Sequence, residues 1–113
     1  MKIVEHHNDW PWGHTITLVT EDGGGIVELS FEDTQPGVAY LSGLSVAFEF
    51  RRKGYSKVLL DYAEKVCELK NIFRIDLSSS TEQFVLDMYH SRGFVDIKMD
   101  SEFMKMYKFV QRN

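Results

Sequence analysis

Four cations, Arg51, Arg52, Lys53 and Lys57, fall within seven consecutive positions around Gly54, in the stretch FRRKGYSKVLL at residues 50–60. A basic turn that runs into a helix can hold an anion. The first N–H groups of a helix have no intrahelical acceptor, and the helix dipole adds about +0.5 charge at that end. Gly54 lets the backbone approach a phosphate closely or take positive φ, and a side chain as small as Ser56 keeps the same opening clear. The chemistry served would be pyrophosphate binding at a helix N-terminus. A charged, solvated turn has the same pattern, and on these residues alone both readings stand. The stretch is neither a Walker loop, whose Lys precedes Ser or Thr after two spaced glycines, nor a three-glycine dinucleotide fingerprint.

Composition narrows the class. The 113 residues fit one domain, 1–113, with a single modest core. A hydrophobic fraction of 43% and a charged fraction of 27% are those of an ordinary soluble globular protein. The net charge of -4 argues against a nucleic-acid partner. A local basic patch on an acidic chain suits a small anionic ligand better than a long polyanion. The one cysteine, Cys67, excludes an internal disulfide and favours a reducing compartment. It falls on the apolar face of an expected helix, where a thiol is inert. The start MKIVEHHNDW has no apolar run after its lysine, and no stretch approaches the ~20 apolar residues of a membrane span. The cytoplasm is therefore the expected location, with no membrane partner. His6, His7 and His14 lack a second ligand cluster at zinc spacing, so no metal is expected.

These residues need elements to position them. Residues 2–6 predict a short strand, and Asn8–Gly13, with Trp10 and Trp12 around Pro11, an irregular turn-rich segment. The two tryptophans fit an acceptor wall, a dimer contact or a plug at the sheet's end, and the sequence does not choose. Residues 14–21 and 26–32 alternate around Asp22-Gly23-Gly24-Gly25, a hairpin signal. A third long strand follows at 38–47. Helical spacing of Val58, Leu59, Tyr62, Ala63, Val66 and Cys67 predicts one amphipathic helix over 55–69. A strand at 73–78 precedes a helix over 81–91, with Ser80 as N-cap of a capping box and Gly93 as its stop. Strands at about 94–99 and 103–110 meet at an Asp100-Ser101-Glu102 turn. Met99, Met104 and Met106 alternate at strand spacing, as core or interface residues do. The order β-β-β-β-α-β-α-β-β is that of an α+β, or mixed α/β, domain with a mostly antiparallel sheet and two main helices.

Val46 to Leu60 resembles the acetyl-CoA-binding motif of the GNAT N-acetyltransferase superfamily, Arg/Gln-x-x-Gly-x-Gly/Ala. Arg51 and Gly54 match it, and Ser56 stands where the second glycine or alanine is usual; of the Val-x-Pro-Glu-Tyr that commonly precedes the motif, Glu49 and Phe50 match in type and Phe48 replaces the proline. Leu86 to Phe94 resembles the family's Leu-Tyr-x-x-x-Gly-Phe block, with Tyr89, Gly93 and Phe94 in register. Together the two blocks frame a resemblance over about residues 14–110. The family's usual helices between its first two strands have only Asn8–His14 to occupy here, which implies a minimal, N-terminally shortened member. The acceptor pocket is then open, built by other loops, or completed by a second subunit, as in a homodimer. Glu82 stands where an asparagine that contacts pantetheine is common.

The resemblance implies an acetyl-CoA-dependent N-acetyltransferase acting on a primary amine by direct attack on the thioester. It implies that the backbone of Leu44, Ser45 and Val46 holds pantetheine. The loop Arg51, Arg52, Lys53, Gly54, Tyr55, Ser56 and Lys57 would hold the pyrophosphate through its N–H groups. The N–H of Leu44 would polarise the thioester carbonyl, and Tyr89 would be the general acid for the leaving thiolate. Tyr40 and Ser42 occupy positions where several members carry Glu or His, which places them at the acceptor but supplies no good base. Glu28, Glu5, His6, His7 and His14 are the remaining titratable choices. The competing reading is a non-catalytic acyl-CoA-binding or protein-interaction module with a degenerate site.

Overall fold

The computed structural model describes residues 1–110, and its seven-stranded sheet runs in the order β1-β2-β3-β4-β5-β7-β6. The strands are β1 (Ile3–Trp10), β2 (Gly13–Thr20), β3 (Gly25–Glu32), β4 (Val38–Val46), β5 (Arg74–Ser80), β6 (Val95–Met99) and β7 (Phe103–Phe109). Helix α1 (Tyr55–Leu69) links β4 to β5, and α2 (Gln83–Ser91) links β5 to β6. Every neighbouring pair is antiparallel except β4 and β5, which the α1 crossover makes parallel. This is the expected mixed α/β order.

Two local expectations are corrected, for β1 and for Ser80. β1 runs on through Asn8, Asp9 and Trp10 and turns on Pro11 and Trp12 alone. As an edge strand exposed at nearly every position, it needs no apolar alternation, so periodicity underestimates its length. Ser80 does not cap α2. It pairs with Phe103 as the last residue of β5, the N-cap is Glu82, and no side chain caps that end. Met104 and Met106 are buried, whereas Met99, on the edge strand β6, is 55% exposed.

One face of the sheet carries the core. Ile16, Leu18, Leu29, Leu41, Ile75 and Met106 point to it and pack against Leu59, Ala63 and Cys67 of α1 and Leu86 and Tyr89 of α2. Both helices therefore cover this face. Glu64 of α1 ties them together: it accepts from Arg92 after α2 (2.7 Å) and from Lys108 of β7 (2.5 Å). Both helices stop by the same device. Asn71 (φ +60) and Gly93 (φ +94) take the left-handed conformation after α1 and α2. Ile72 N–H then bonds the Cys67 carbonyl at 2.9 Å, and Phe94 N–H that of Tyr89 at 3.1 Å. The second bond fixes Tyr89 against Phe94, their rings edge-on with centroids 5.5 Å apart.

The opposite face carries Thr17, Glu28, Ser30, Tyr40, Ser42, Asp76 and Tyr107, aligned by the strand register. No helix among the described residues covers it. None of those helices is long and apolar enough to cross a membrane.

Candidate active site

β4 and β5 pair over only four positions, Val38–Leu41 with Arg74–Leu77, and then separate. β4 stays with β3 as far as Val46, and β5 stays with β7 as far as Ser80. A bulge turns β4 at this point. Ile26 pairs with Ser45 and Glu28 with Ser42, so Val27 alone faces both Gly43 and Leu44. Gly43, at φ +65, supplies the left-handed residue that such a bulge requires.

The opening is a cleft of about 850 Å³. Leu44, Ser45 and Val46 form one wall, and Glu82, Phe84, Val85, Met88 and Tyr89 at and beyond the start of α2 form the other. Arg51, Arg52, Gly54, Tyr55, Ser56 and Lys57 line it as well. Strand alternation sets the polar groups of the first wall. Ala47 N–H donates to the Gly24 carbonyl at 2.8 Å, so Val46 turns its own N–H and carbonyl to the other side. There the Val46 carbonyl accepts Arg51 Nε at 3.1 Å.

The helix end beside the cleft has the features of an anion site. Gly54 is the N-cap of α1 in the left-handed conformation (φ +81, ψ 13), with no side-chain cap and no acidic residue in the first turn. The first intrahelical bond runs from Val58 N–H to the Gly54 carbonyl (3.1 Å). The N–H groups of Tyr55, Ser56 and Lys57 thus precede any helical acceptor. A Cβ at Gly54 would meet nothing within 4 Å, so the space beside the loop is open. Arg52 is also left-handed, at φ +62, a conformation uncommon outside glycine.

The side chains of the four cations are unequally placed. Arg51 is held by Val46, with its guanidinium 5.7 Å from the centre of the Phe48 ring. Lys57 pairs with Asp61 at 2.8 Å, and Lys53 lies over Phe50 at 6.0 Å and does not line the cleft. Tyr55 is buried. Its hydroxyl donates to Asp22, which depresses the carboxyl below its ordinary range and raises the phenol above its own.

Tyr89 lines the cleft with only 6% of its surface exposed. Burial raises its phenol above the ordinary tyrosine range, which holds the proton on the oxygen. Tyr40 and Ser42 stand apart, on the uncovered face. Tyr40 lines a smaller cavity of about 190 Å³ with Ser30, Glu32, Gln35, Val38 and Asp76. Of the other titratable residues, Glu5, His7, His14 and Asp9 form a hydrogen-bonded chain along the β1–β2 hairpin, away from the cleft.

The sequence reading missed two groups. Phe84, Val85 and Met88 fall within the expected helix over 81–91 with no motif to mark them, yet they line the cleft, and Phe84 is 72% exposed. Asp22 read only as a turn residue, and nothing local shows its bond to Tyr55, 33 residues away.

The sequence matches the acetyltransferase (GNAT) domain over residues 9–110. Among solved structures, the PaiA N-acetyltransferase of Thermoplasma acidophilum, in complex with coenzyme A, is 24% identical, with a TM-score of 0.71 over 84% of this chain and 59% of that one. This chain therefore spans less than two thirds of that protein. Ard1 from Thermoplasma volcanium is 20% identical (TM-score 0.73, 87% of this chain and 71% of that one). The IAA acetyltransferase of Bacillus cereus ATCC 14579 is 13% identical (TM-score 0.72, 96% of this chain and 99% of that one). These likenesses establish the fold. No curated protein matches the sequence.

Proposed function

Because the chain belongs to the GNAT acetyltransferase family, we propose that it transfers an acetyl group from acetyl-CoA to a primary amine. One observation carries the reading: a single cleft joins the uncapped N-terminus of α1, the diverging end of β4 and the buried phenol of Tyr89. The N–H groups of Tyr55, Ser56 and Lys57, which precede any helical acceptor, hold the pyrophosphate, and the backbone of Leu44–Val46 holds the pantetheine arm. The N–H of Leu44 stabilises charge on the thioester oxygen. A neutral amine attacks the carbonyl carbon, the tetrahedral adduct expels the thiolate as the C–S bond breaks, and Tyr89 gives the thiolate its proton. The extra proton on the amine nitrogen leaves to solvent, and solvent returns a proton to the Tyr89 oxygen. Tyr40 and Ser42, on the uncovered face, meet the acceptor.

Thermal unfolding with and without acetyl-CoA tests the binding step. A ligand that binds only the folded state stabilises it by about 2.7 kcal/mol at a hundred times its Kd. An unchanged midpoint at millimolar acetyl-CoA would falsify this reading. Release of coenzyme A across a panel of amines tests turnover, and binding without release on any amine supports a binding module instead.

The release assay can use a thiol reagent. Cys67 is fully buried, and burial pushes its thiol up to about 12. In the folded protein at pH 8 it is expected to resist labelling by a disulfide reagent for hours, then react at once in denaturant. Rapid labelling of the folded protein would show that α1 opens locally.

A further inference from the structure

The turn between β2 and β3 grips the basic loop at both ends. At the loop's start, Ala47 N–H donates to the Gly24 carbonyl at 2.8 Å. At its end, the hydroxyl of Tyr55, the first residue of α1, donates to Asp22 Oδ2. In between, the Phe50 ring lies 5.4 Å from that of Tyr55, and both rest on Gly24, where a Cβ would come within 2.8 Å of each.

The two oxygens of Asp22 divide the work. Oδ1 builds the turn, accepting Thr20 Oγ1 at 2.8 Å and Gly24 N–H at 2.9 Å. Oδ2 is not needed for the turn and reaches across to α1. The turn is itself anchored, because Thr20 is buried and its Oγ1 accepts Gly25 N–H at 2.9 Å.

We propose that Asp22 is a positioning residue for the coenzyme. By holding Tyr55, it sets the left-handed turn at Gly54 and so aims the N–H groups of Tyr55, Ser56 and Lys57 at the phosphates. The proposal rests on reading the cleft as the acetyl-CoA site. The turn acts through the loop and touches no reacting atom. Its effect falls on the part of the coenzyme that carries phosphate, and the thioester end is served by β4 and Tyr89.

Calorimetric titration of acetyl-CoA and of S-acetylpantetheine, which has the same thioester arm without phosphate, separates this from general loosening. Four proteins are compared: wild type, Asp22→Asn, Tyr55→Phe and the double variant. Tyr55→Phe keeps the ring on Phe50 and Gly24 and leaves the turn intact, so it stays folded even if Asp22→Asn does not. Each single change is expected to raise the acetyl-CoA Kd about tenfold, the effect of one charge-assisted hydrogen bond. The double variant is expected to be no worse than either, because both changes remove the same bond. S-acetylpantetheine affinity should move by less than about twofold. An acetyl-CoA Kd unchanged in Tyr55→Phe, or equal losses for both ligands, overturns the positioning role alone. A wild-type protein that binds no acetyl-CoA overturns the cleft reading, and this inference with it.

Discussion

Replacing Tyr89 by phenylalanine is expected to slow acetyl transfer by about 10²- to 10³-fold, the usual contribution of a positioned general acid, with little change in acetyl-CoA affinity. The substitution removes one oxygen and keeps the ring that packs edge-on against Phe94. Any large fall in rate is then chemical and not a consequence of unfolding. The pH profile supplies an independent sign. The active form of an acid is its protonated form, and burial raises the Tyr89 phenol above the ordinary value of about 10. Its contribution is present at all lower pH and is lost only as pH rises through that raised value. No decline from this group is expected between pH 7 and 9. A phenylalanine variant at wild-type rate would mean that water or another side chain protonates the thiolate.

The second large effect concerns Ser56, half-buried on the cleft beside the open helix end. Ser56→Gly should bind acetyl-CoA about as well as wild type, since every N–H group stays in place. Ser56→Leu fills the opening with a branched side chain and holds the phosphates off the helix end. Losing two charge-assisted hydrogen bonds corresponds to a Kd higher by at least about a hundredfold. Titration of both variants decides the matter: equal affinities would place the phosphate somewhere other than the start of α1. Gly54 offers no such clean comparison, because any side chain there also strains a backbone at φ +81.

The elements that build the core were legible because their burial repeats. Ile16, Leu18, Val27 and Leu29 alternate, and Leu59, Ala63, Val66 and Cys67 recur at helical spacing, all on the side that packs. β1 shows the limit of that signal, since a strand open to water on both faces carries no pattern to read. Ser80 shows another: a cap is a local preference, and pairing with Phe103 on β7 overrode it. In the cleft, the backbone features followed from Gly54 and the basic turn. The side-chain arrangement did not. Arg51 bonds Val46 and Tyr55 bonds Asp22 because the fold brings distant segments together, and no spacing in the chain encodes those encounters. The uneven standing of the four cations, alike as letters, has the same origin.

The one-sided core has an evolutionary corollary. Stability rests on the face that the two helices cover, whereas Glu28, Ser30, Tyr40 and Ser42 project from the other face and remain part-exposed or exposed. Substitutions at these positions disturb little packing, since surface changes of this kind seldom alter stability by more than about 0.5 kcal/mol. Selection can therefore redraw this face position by position while the fold and the cleft behind it persist. A scaffold divided in this way is well suited to acquiring new surface chemistry by drift and to directed evolution in the laboratory.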